Sequence, residues 1–185
     1  MAPVSARYLD LARKSKHELD AVFAAGSPPD VTGLTGYEFR GYNQPRAAAL
    51  LGIRKFIKAF YLDNARRPFG CNTPVRQNGL DGEWLARPSA AAPKRYAFFQ
   101  VEPASPDAPE GLRRAAALLD YSQGGNRAYD IANILRDYLV RVEPGSDELL
   151  LGKAFFVVAG TTLAHSYFLI ERYRPLADAA ALASR

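Results

Sequence analysis

Three apolar segments follow one another toward the C-terminal end of the chain, separated by short stretches of turn-forming residues. The segments span residues 134–142, 149–158 and 165–173, and the intervening stretches span 143–147 and 159–162. Segments of this length that are rich in Val, Phe, Tyr and Leu and bounded by Pro, Gly, Ser and Asp are typical of β-strands. The pattern therefore predicts a β-meander of consecutive antiparallel strands.

Further segments with strand-like patterns lie upstream and follow one another in sequence order. They span residues 37–42, 53–62, 68–77, 95–101 and 115–123. Arg54 and Lys55 interrupt the alternation in 53–62, so a helix is the alternative for that segment. Because Asn-Gly and Asp-Gly are strong turn signals, residues 76–84 are predicted to form a hairpin tip or tight loop. The Pro-rich stretch 102–111 is predicted to be an exposed connection. About seven to nine sequential strands indicate a meander barrel or a strongly curved sheet over residues 36–173.

Two helices are predicted outside these strands. Residues 4–25 have one apolar stripe among charged residues, which is typical of an amphipathic helix, with Ser5 as a candidate N-cap. A short helix is predicted over 45–52, which has Pro at its first turn and Gly at its end. We expect the N-terminal helix to cover an open end or a side of the sheet, and residues 174–185 to form a tail. No linker divides the chain, so residues 1–185 are predicted to form a single domain.

Composition limits the classes of binding partner and the cellular compartment that we expect for the protein. The chain has 24 Lys and Arg against 19 Asp and Glu, and its net charge of +5 is scattered, so we expect no nucleic-acid partner. The single cysteine, Cys71, rules out an intrachain disulfide and is predicted to be a buried structural thiol. The chain shows no secretory signal and no apolar run near the roughly 20 residues of a membrane span. These features predict an unexported, cytoplasmic protein without a membrane span.

Several short motifs are distributed over most of the chain. They are Pro28-Pro29, Glu38-Phe39-Arg40-Gly41, residues 45–52, residues 134–142, Leu150-Leu-Gly152 and Phe168-Leu-Ile-Glu-Arg172. Together they resemble the uncharacterised bacterial proteins built from a GXWXG segment and a following lipocalin-like β-barrel segment, although Phe39 replaces the tryptophan and Tyr37 the first glycine. The resemblance implies a calycin-like barrel. The predicted fold is therefore mainly β, an antiparallel, lipocalin-like meander barrel with an N-terminal helix and one short helix.

A barrel of this size holds either a packed core or one small ligand. Its many aromatic residues favour an apolar or amphipathic small molecule as the ligand. The residues predicted to form the cavity walls are Phe56, Phe98, Phe99, Phe155, Phe156 and Phe168. The residues predicted to bind the ligand are Phe98, Tyr121, Tyr138, Phe156, Phe168, Arg172, Arg76 and Trp84.

Two alternative functions stay open. The cavity could serve a cofactor-free isomerase, cyclase or lyase with Asp120 or His165 as the base. If the Asp120 carboxylate points inward, it needs a cationic partner such as Arg172, Lys153 or Arg136. Alternatively, His165 could hold haem iron, because small haem-binding barrels that resemble nitrobindin carry a histidine late in the chain. Apart from haem, no cofactor and no metal site are predicted.

The sequence leaves open which strand faces point into the barrel. Both faces of the last strand mix apolar and polar residues, as in Tyr167, Leu169 and Glu171 on one side and Phe168 and Ile170 on the other. This mixture predicts that the outer wall is covered, by the N-terminal helix or by a second copy in a homodimer. A single bulge would reverse every side chain beyond it.

Overall fold

The computed structural model describes residues 3–44, 53–104 and 116–185, except for the side chains of residues 163–165. Eight strands follow in sequence order, each antiparallel to the next, and the last pairs with the first to close a barrel. The strands are β1 (Tyr37–Asn43), β2 (Lys55–Leu62), β3 (Pro68–Pro74), β4 (Tyr96–Pro103), β5 (Ala117–Asp120), β6 (Leu135–Glu143), β7 (Ser146–Val158) and β8 (Thr161–Pro175). The predicted antiparallel meander barrel is confirmed, and it is compatible with a lipocalin-like fold.

Tight turns join the long strands of the C-terminal meander. Residues 144 and 145 connect β6 to β7, and residues 159 and 160 connect β7 to β8. Gly145, Ala159 and Gly160 have φ angles of 75°, 49° and 77°, which are the left-handed conformations typical of short hairpin turns. Both predicted turns are therefore present. β7 and β8 are longer than the predicted apolar segments, and all three strands continue up to the turn residues.

β5 is shorter than the strand predicted over 115–123. Its last residue, Asp120, accepts hydrogen bonds from the backbone N–H and the hydroxyl of Ser122, at 2.8 and 2.7 Å. This local side-chain bond caps a 3₁₀ helix over Tyr121–Gln123 and so turns the chain out of the ladder. A second 3₁₀ helix, Ile131–Ile134, precedes β6.

The N-terminal region forms two helices instead of the single predicted one, α1 (Ala6–Arg13) and α2 (Lys16–Ala25). Ser15 starts α2 with a reciprocal cap, in which its hydroxyl accepts from the Glu18 N–H and the Glu18 carboxylate accepts from the Ser15 N–H. Both helices cover the outer wall of the barrel, as one of the predicted arrangements required. The apolar side chains of this contact include Tyr8, Leu11, Leu19, Phe23, Tyr167 and Leu169.

One end of the barrel interior is filled with apolar side chains. The helix α3 (Val31–Leu34) places Leu34 against this cluster, and the strands contribute Phe39, Phe60, Phe99, Leu119, Leu139, Leu150 and Ile170. Three glycines, Gly41, Gly70 and Gly152, lie directly opposite Phe56, Phe99 and Phe168 on the neighbouring strands. A Cβ at any of these glycines would come within 2.1–2.3 Å of the facing ring, so each glycine lets a ring cross its strand.

The residues predicted to form a C-terminal tail are structured. β8 continues to Pro175, and a short helix, α4 (Ala179–Ala183), follows. Leu176 and Leu182 pack on the outer face of the barrel against Phe98 and the fully buried thiol of Cys71, whose predicted burial is confirmed. The C-terminal segment therefore covers β2 to β4 as the N-terminal helices cover the opposite wall.

The predicted helix over 45–52 and most of the predicted 102–111 connection lie outside the described residues. Within the described ranges, no helix combines the length and the apolar character needed to cross a membrane.

Candidate functional site

The end of the barrel away from α3 contains a cavity of about 310 Å³, a volume at the lower end of the range for small-molecule sites. Its apolar walls include Phe56, Tyr96, Leu135, Ala154, Phe156 and Phe168. Ile131 also lines the cavity and is 66% exposed. Ile131 therefore marks the edge at which the cavity meets the protein surface.

Four polar side chains meet in the buried wall of this cavity, and we call them the Lys58 cluster: Lys58, Asn72, Tyr121 and Asp137. The Lys58 ammonium donates to Tyr121 Oη at 2.6 Å, to Asn72 Oδ1 at 3.1 Å and to Asp137 Oδ2 at 3.3 Å. The Tyr121 hydroxyl donates to the same Asp137 oxygen at 2.8 Å. The cluster thus links β2, β3 and β6 with the residue that follows β5.

Strand alternation places these charges inside the barrel. Lys58 lies between Phe56 and Phe60 on the inward face of β2, and Asp137 lies between two inward leucines of β6. The Lys58 and Asp137 side chains are only 3% and 6% exposed. A buried charge is costly unless it is paired and hydrogen-bonded, and the cluster meets this requirement.

Burial controls the protonation chemistry of the cluster. Loss of hydration lowers the pKa of the Lys58 amine, while the charge and hydrogen bond of Asp137 act in the opposite direction. Burial likewise raises the pKa of the Asp137 carboxyl group, and the nearby Lys58 acts against this. The pKa of Tyr121 lies well above its usual value because of burial and the adjacent Asp137 charge. Both shifts within the Lys58–Asp137 pair favour its uncharged form.

One acceptor of the Lys58 cluster, Asp137 Oδ1, is available to a ligand. All three N–H bonds of the Lys58 ammonium are used, and Asp137 Oδ2 accepts from both Lys58 and Tyr121. Among the described residues, Asp137 Oδ1 has no hydrogen-bond donor. Four aromatic rings also surround the Lys58 nitrogen at 4.8–5.5 Å, and they belong to Phe56, Phe99, Tyr121 and Phe168.

The structure brings three of the predicted ligand-binding residues to the cavity, namely Tyr121, Phe156 and Phe168. Phe56 also lines it, as predicted for the walls, whereas Phe99 lies in the apolar core beneath Tyr121. Whether these residues bind a ligand stays a prediction.

Other predicted residues face the outside of the barrel. Phe98 packs under the C-terminal segment, with the Arg185 guanidinium 3.3 Å from its ring centre. Tyr138 and Phe155 contact each other edge to face on the outer wall. Phe98, Tyr138 and Phe155 do not line the cavity, because Ala97, Asp137 and Ala154 are the neighbouring residues that face it.

Trp84, Arg76 and Arg172 also lie away from the cavity. Trp84 packs between α1 and the barrel, where its indole N–H donates to the Gly41 carbonyl at 3.0 Å. Arg76 is exposed, and its backbone N–H closes the predicted 76–84 loop. Arg172 binds Glu148 at 2.7 Å and stacks on Tyr37 near the α3 end.

Of the two candidate bases, Asp120 does not line the cavity, and the side chain of His165 lies outside the described residues. Asp120 caps the 3₁₀ helix and pairs with Arg136 at 3.2 Å, one of the partners predicted for it. His165 pairs with Phe155 in the β7–β8 ladder, but its side chain lies outside the described residues. The haem hypothesis therefore stays a prediction. Among the described residues, no three His, Cys, Asp or Glu side chains are grouped to hold a metal ion.

Lys58, Asn72 and Asp137 are not among the residues predicted from the sequence. A usable signal was present for two of them, because Lys58 has Phe at both positions two residues away and Asp137 has Leu at both. A lone charge on an otherwise apolar strand face indicates a buried, partnered group. Asn72 shows no such signal.

Comparison with known proteins adds no family. The chain matches no protein-family model, and the searches of curated proteins and of solved structures found no match.

Proposed function

We propose that this barrel binds one amphipathic small molecule, with the apolar part in the aromatic cavity and a polar group at the Lys58 cluster. The observation that carries the proposal is a cavity of about 310 Å³ whose buried wall contains a lysine, an aspartate, a tyrosine and an asparagine in mutual contact. Ligand sites typically combine mostly apolar walls with a few convergent polar groups.

The energetics of the cluster support a role beyond stability. A buried ion pair is usually no better for stability than apolar residues of the same volume, because the desolvation cost offsets the Coulombic gain. Apolar side chains already fill the α3 end of the same barrel. The polar cluster is therefore more readily explained by ligand recognition than by packing.

The charges of the cluster restrict the polar group of the ligand. Lys58 and Asp137 neutralise each other, so no net positive charge is left over for a free carboxylate. A hydroxyl group can donate to Asp137 Oδ1, and a carbonyl oxygen can accept from Lys58 or Tyr121 in exchange for a bond within the cluster. We therefore expect a neutral polar group, a hydroxyl or a carbonyl.

Binding of a neutral fluorescent probe tests the proposal. N-phenyl-1-naphthylamine should become more fluorescent in the native protein, and Ala154→Phe, which fills the cavity wall, should abolish the increase. Ala24→Phe is the matched control, because Ala24 is exposed on α2. Equal fluorescence in all three proteins would place the probe elsewhere and contradict the proposal.

A cofactor-free isomerase, cyclase or lyase is the second candidate, and the Asp137–Tyr121 hydrogen bond favours it. In that case Asp137 replaces Asp120 as the base, and Tyr121 is the hydrogen-bond donor. Incubation of a bound molecule in D₂O should then introduce deuterium with the native protein and not with Asp137→Asn. Equal deuterium uptake with both proteins would exclude this role.

A further inference from the structure

We propose that Lys58 is an imine-forming lysine, and that the molecule it takes up is an apolar aldehyde or ketone. This inference rests on the proposed function, since it assigns a chemical class to the ligand of the same cavity. An amine, a carboxyl group and a phenol in hydrogen-bond contact at the wall of an apolar cavity provide the groups that imine formation needs.

The position of Lys58 gives its amine access to a ligand and little access to bulk water. Lys58 lines the cavity, yet its side chain is only 3% exposed. Phe56 and Phe168 line the cavity next to it, and both rings lie within 5.5 Å of the amine nitrogen. Because imines are lost by hydrolysis, a site that excludes water favours their accumulation.

The nucleophile in imine formation is the uncharged amine. Burial lowers the pKa of Lys58 and raises the pKa of Asp137, so both shifts favour transfer of the proton from the amine to the carboxylate. Each unit by which the pKa of a lysine falls increases its uncharged fraction at neutral pH about tenfold. Lys58 should therefore react in preference to the exposed lysines of the chain.

Imine formation at Lys58 needs no reagent besides the carbonyl compound. Asp137 takes one proton from the Lys58 ammonium, and the free amine attacks the carbonyl carbon to form a carbinolamine. Asp137 returns the proton to the carbinolamine oxygen, which leaves as water together with one amine hydrogen. An aldehyde and an ammonium group are thus converted into a protonated imine and one water molecule, with the charge unchanged.

The cluster also stabilises the product. The protonated imine carries the same positive charge as the original ammonium, so Asp137 stays paired and no new buried charge arises. The aromatic rings around the nitrogen attract either cation. Tyr121 already contacts the nitrogen at 2.6 Å, so its hydroxyl can reach the oxygen that departs from the carbon bonded to that nitrogen.

Reductive trapping tests the inference. The native protein is incubated separately with hexanal and with cinnamaldehyde in the presence of cyanoborohydride, and the modified residues are mapped by peptide mass spectrometry. Lys58 should carry severalfold more adduct than the exposed Lys94, which serves as an internal reference. Asp137→Asn should reduce the Lys58 adduct severalfold, and excess cinnamyl alcohol should protect Lys58 in the native protein.

Displacement of N-phenyl-1-naphthylamine by cinnamyl alcohol separates this inference from the proposed function. If the alcohol displaces the probe but Lys58 carries no more adduct than Lys94, the imine role is wrong and the binding function stands. If neither the alcohol nor the aldehydes displace the probe and Lys58 is unmodified, the inference fails together with the ligand class. Because the comparison is made within the native protein, it does not depend on the folding of a variant.

Discussion

Replacing Lys58 alone should destabilise the protein more than replacing Lys58 and Asp137 together. The variant Lys58→Met removes the cation and leaves the Asp137 carboxyl group, whose side chain is 6% exposed, with Tyr121 as its remaining partner in the cluster. The double variant Lys58→Met with Asp137→Leu removes both charges and leaves an apolar side chain at each position. The cluster therefore predicts strong coupling between the two substitutions.

The size of this destabilisation depends on whether Asp137 stays charged or takes up a proton in the variant. Breaking a buried pair usually costs about 3–5 kcal/mol. At pH 7 the carboxyl group can take up a proton instead, at about 1.4 kcal/mol for each unit above its unfolded pKa of about 3.9, which limits the cost to about 4 kcal/mol. We expect Lys58→Met to lose about 3–4 kcal/mol, and the double variant to stay within about 2 kcal/mol of the native protein.

The loss of stability caused by Lys58→Met should depend on pH. Burial raises the pKa of Asp137 in the folded protein, and loss of Lys58 should raise it further. A raised folded pKa means that the stability present at low pH is lost as the pH rises. The loss of stability caused by Lys58→Met should therefore become smaller as the pH falls from 7 toward 4, by at most about 1.4 kcal/mol per pH unit.

Urea unfolding followed by circular dichroism measures these free energies, with an unchanged denaturant slope as the check on two-state behaviour. The exposed pair Arg7 and Asp10, at 2.9 Å, is the matched control and should show a coupling below about 0.5 kcal/mol. A double Lys58/Asp137 variant as unstable as the sum of its single variants would show that the two groups are not coupled in the folded protein.

Three further predictions concern the walls of the barrel. Burial raises the pKa of Cys71 to about 12, so a thiol reagent should label it slowly in the native protein and rapidly in urea; rapid native labelling would contradict its burial. Gly152→Ala should destabilise the fold by about 1–3 kcal/mol and weaken probe binding, because the new methyl group pushes the Phe168 ring, which lines the cavity; unchanged urea unfolding would show that the ring has room. Asp20→Asn weakens the polar contact of α2 with Tyr167, so amide exchange in α2 should accelerate while the barrel stays protected, and unchanged α2 exchange would contradict that role.

The barrel could be predicted because its signals are local. The apolar segments of β6 to β8 and the turns between them specify hairpins within a few residues of each other. The cap at Ser15 is equally local. The apolar stripe nevertheless continues across it, so the sequence pattern predicts one helix where the structure has two. The closure of β1 on β8 joins residues more than a hundred positions apart, and the sequence indicates it only through the number of strands.

The site was harder to predict because it depends on which face of each strand points into the barrel. Tyr138 is predicted to bind the ligand, but its neighbour Asp137 faces inward, and the same holds for Phe98 and its neighbour Ala97. Register shifts interrupt the ladders of β1 with β8, β3 with β4, β6 with β7 and β7 with β8. Each shift can reverse the alternation beyond it, so aromatic composition indicated a cavity but did not indicate which side chains form it.

Native mass spectrometry of the freshly purified protein tests whether the barrel is a binding site. We expect a co-purifying small molecule on the native protein and on the control Ala24→Phe, with none on Ala154→Phe, whose new ring occupies the cavity. Denaturation should release a neutral, largely apolar compound with a hydroxyl or carbonyl group. A molecule retained equally by Ala154→Phe, or a native protein that is empty and does not bind N-phenyl-1-naphthylamine, would contradict the claim that this barrel is a binding site.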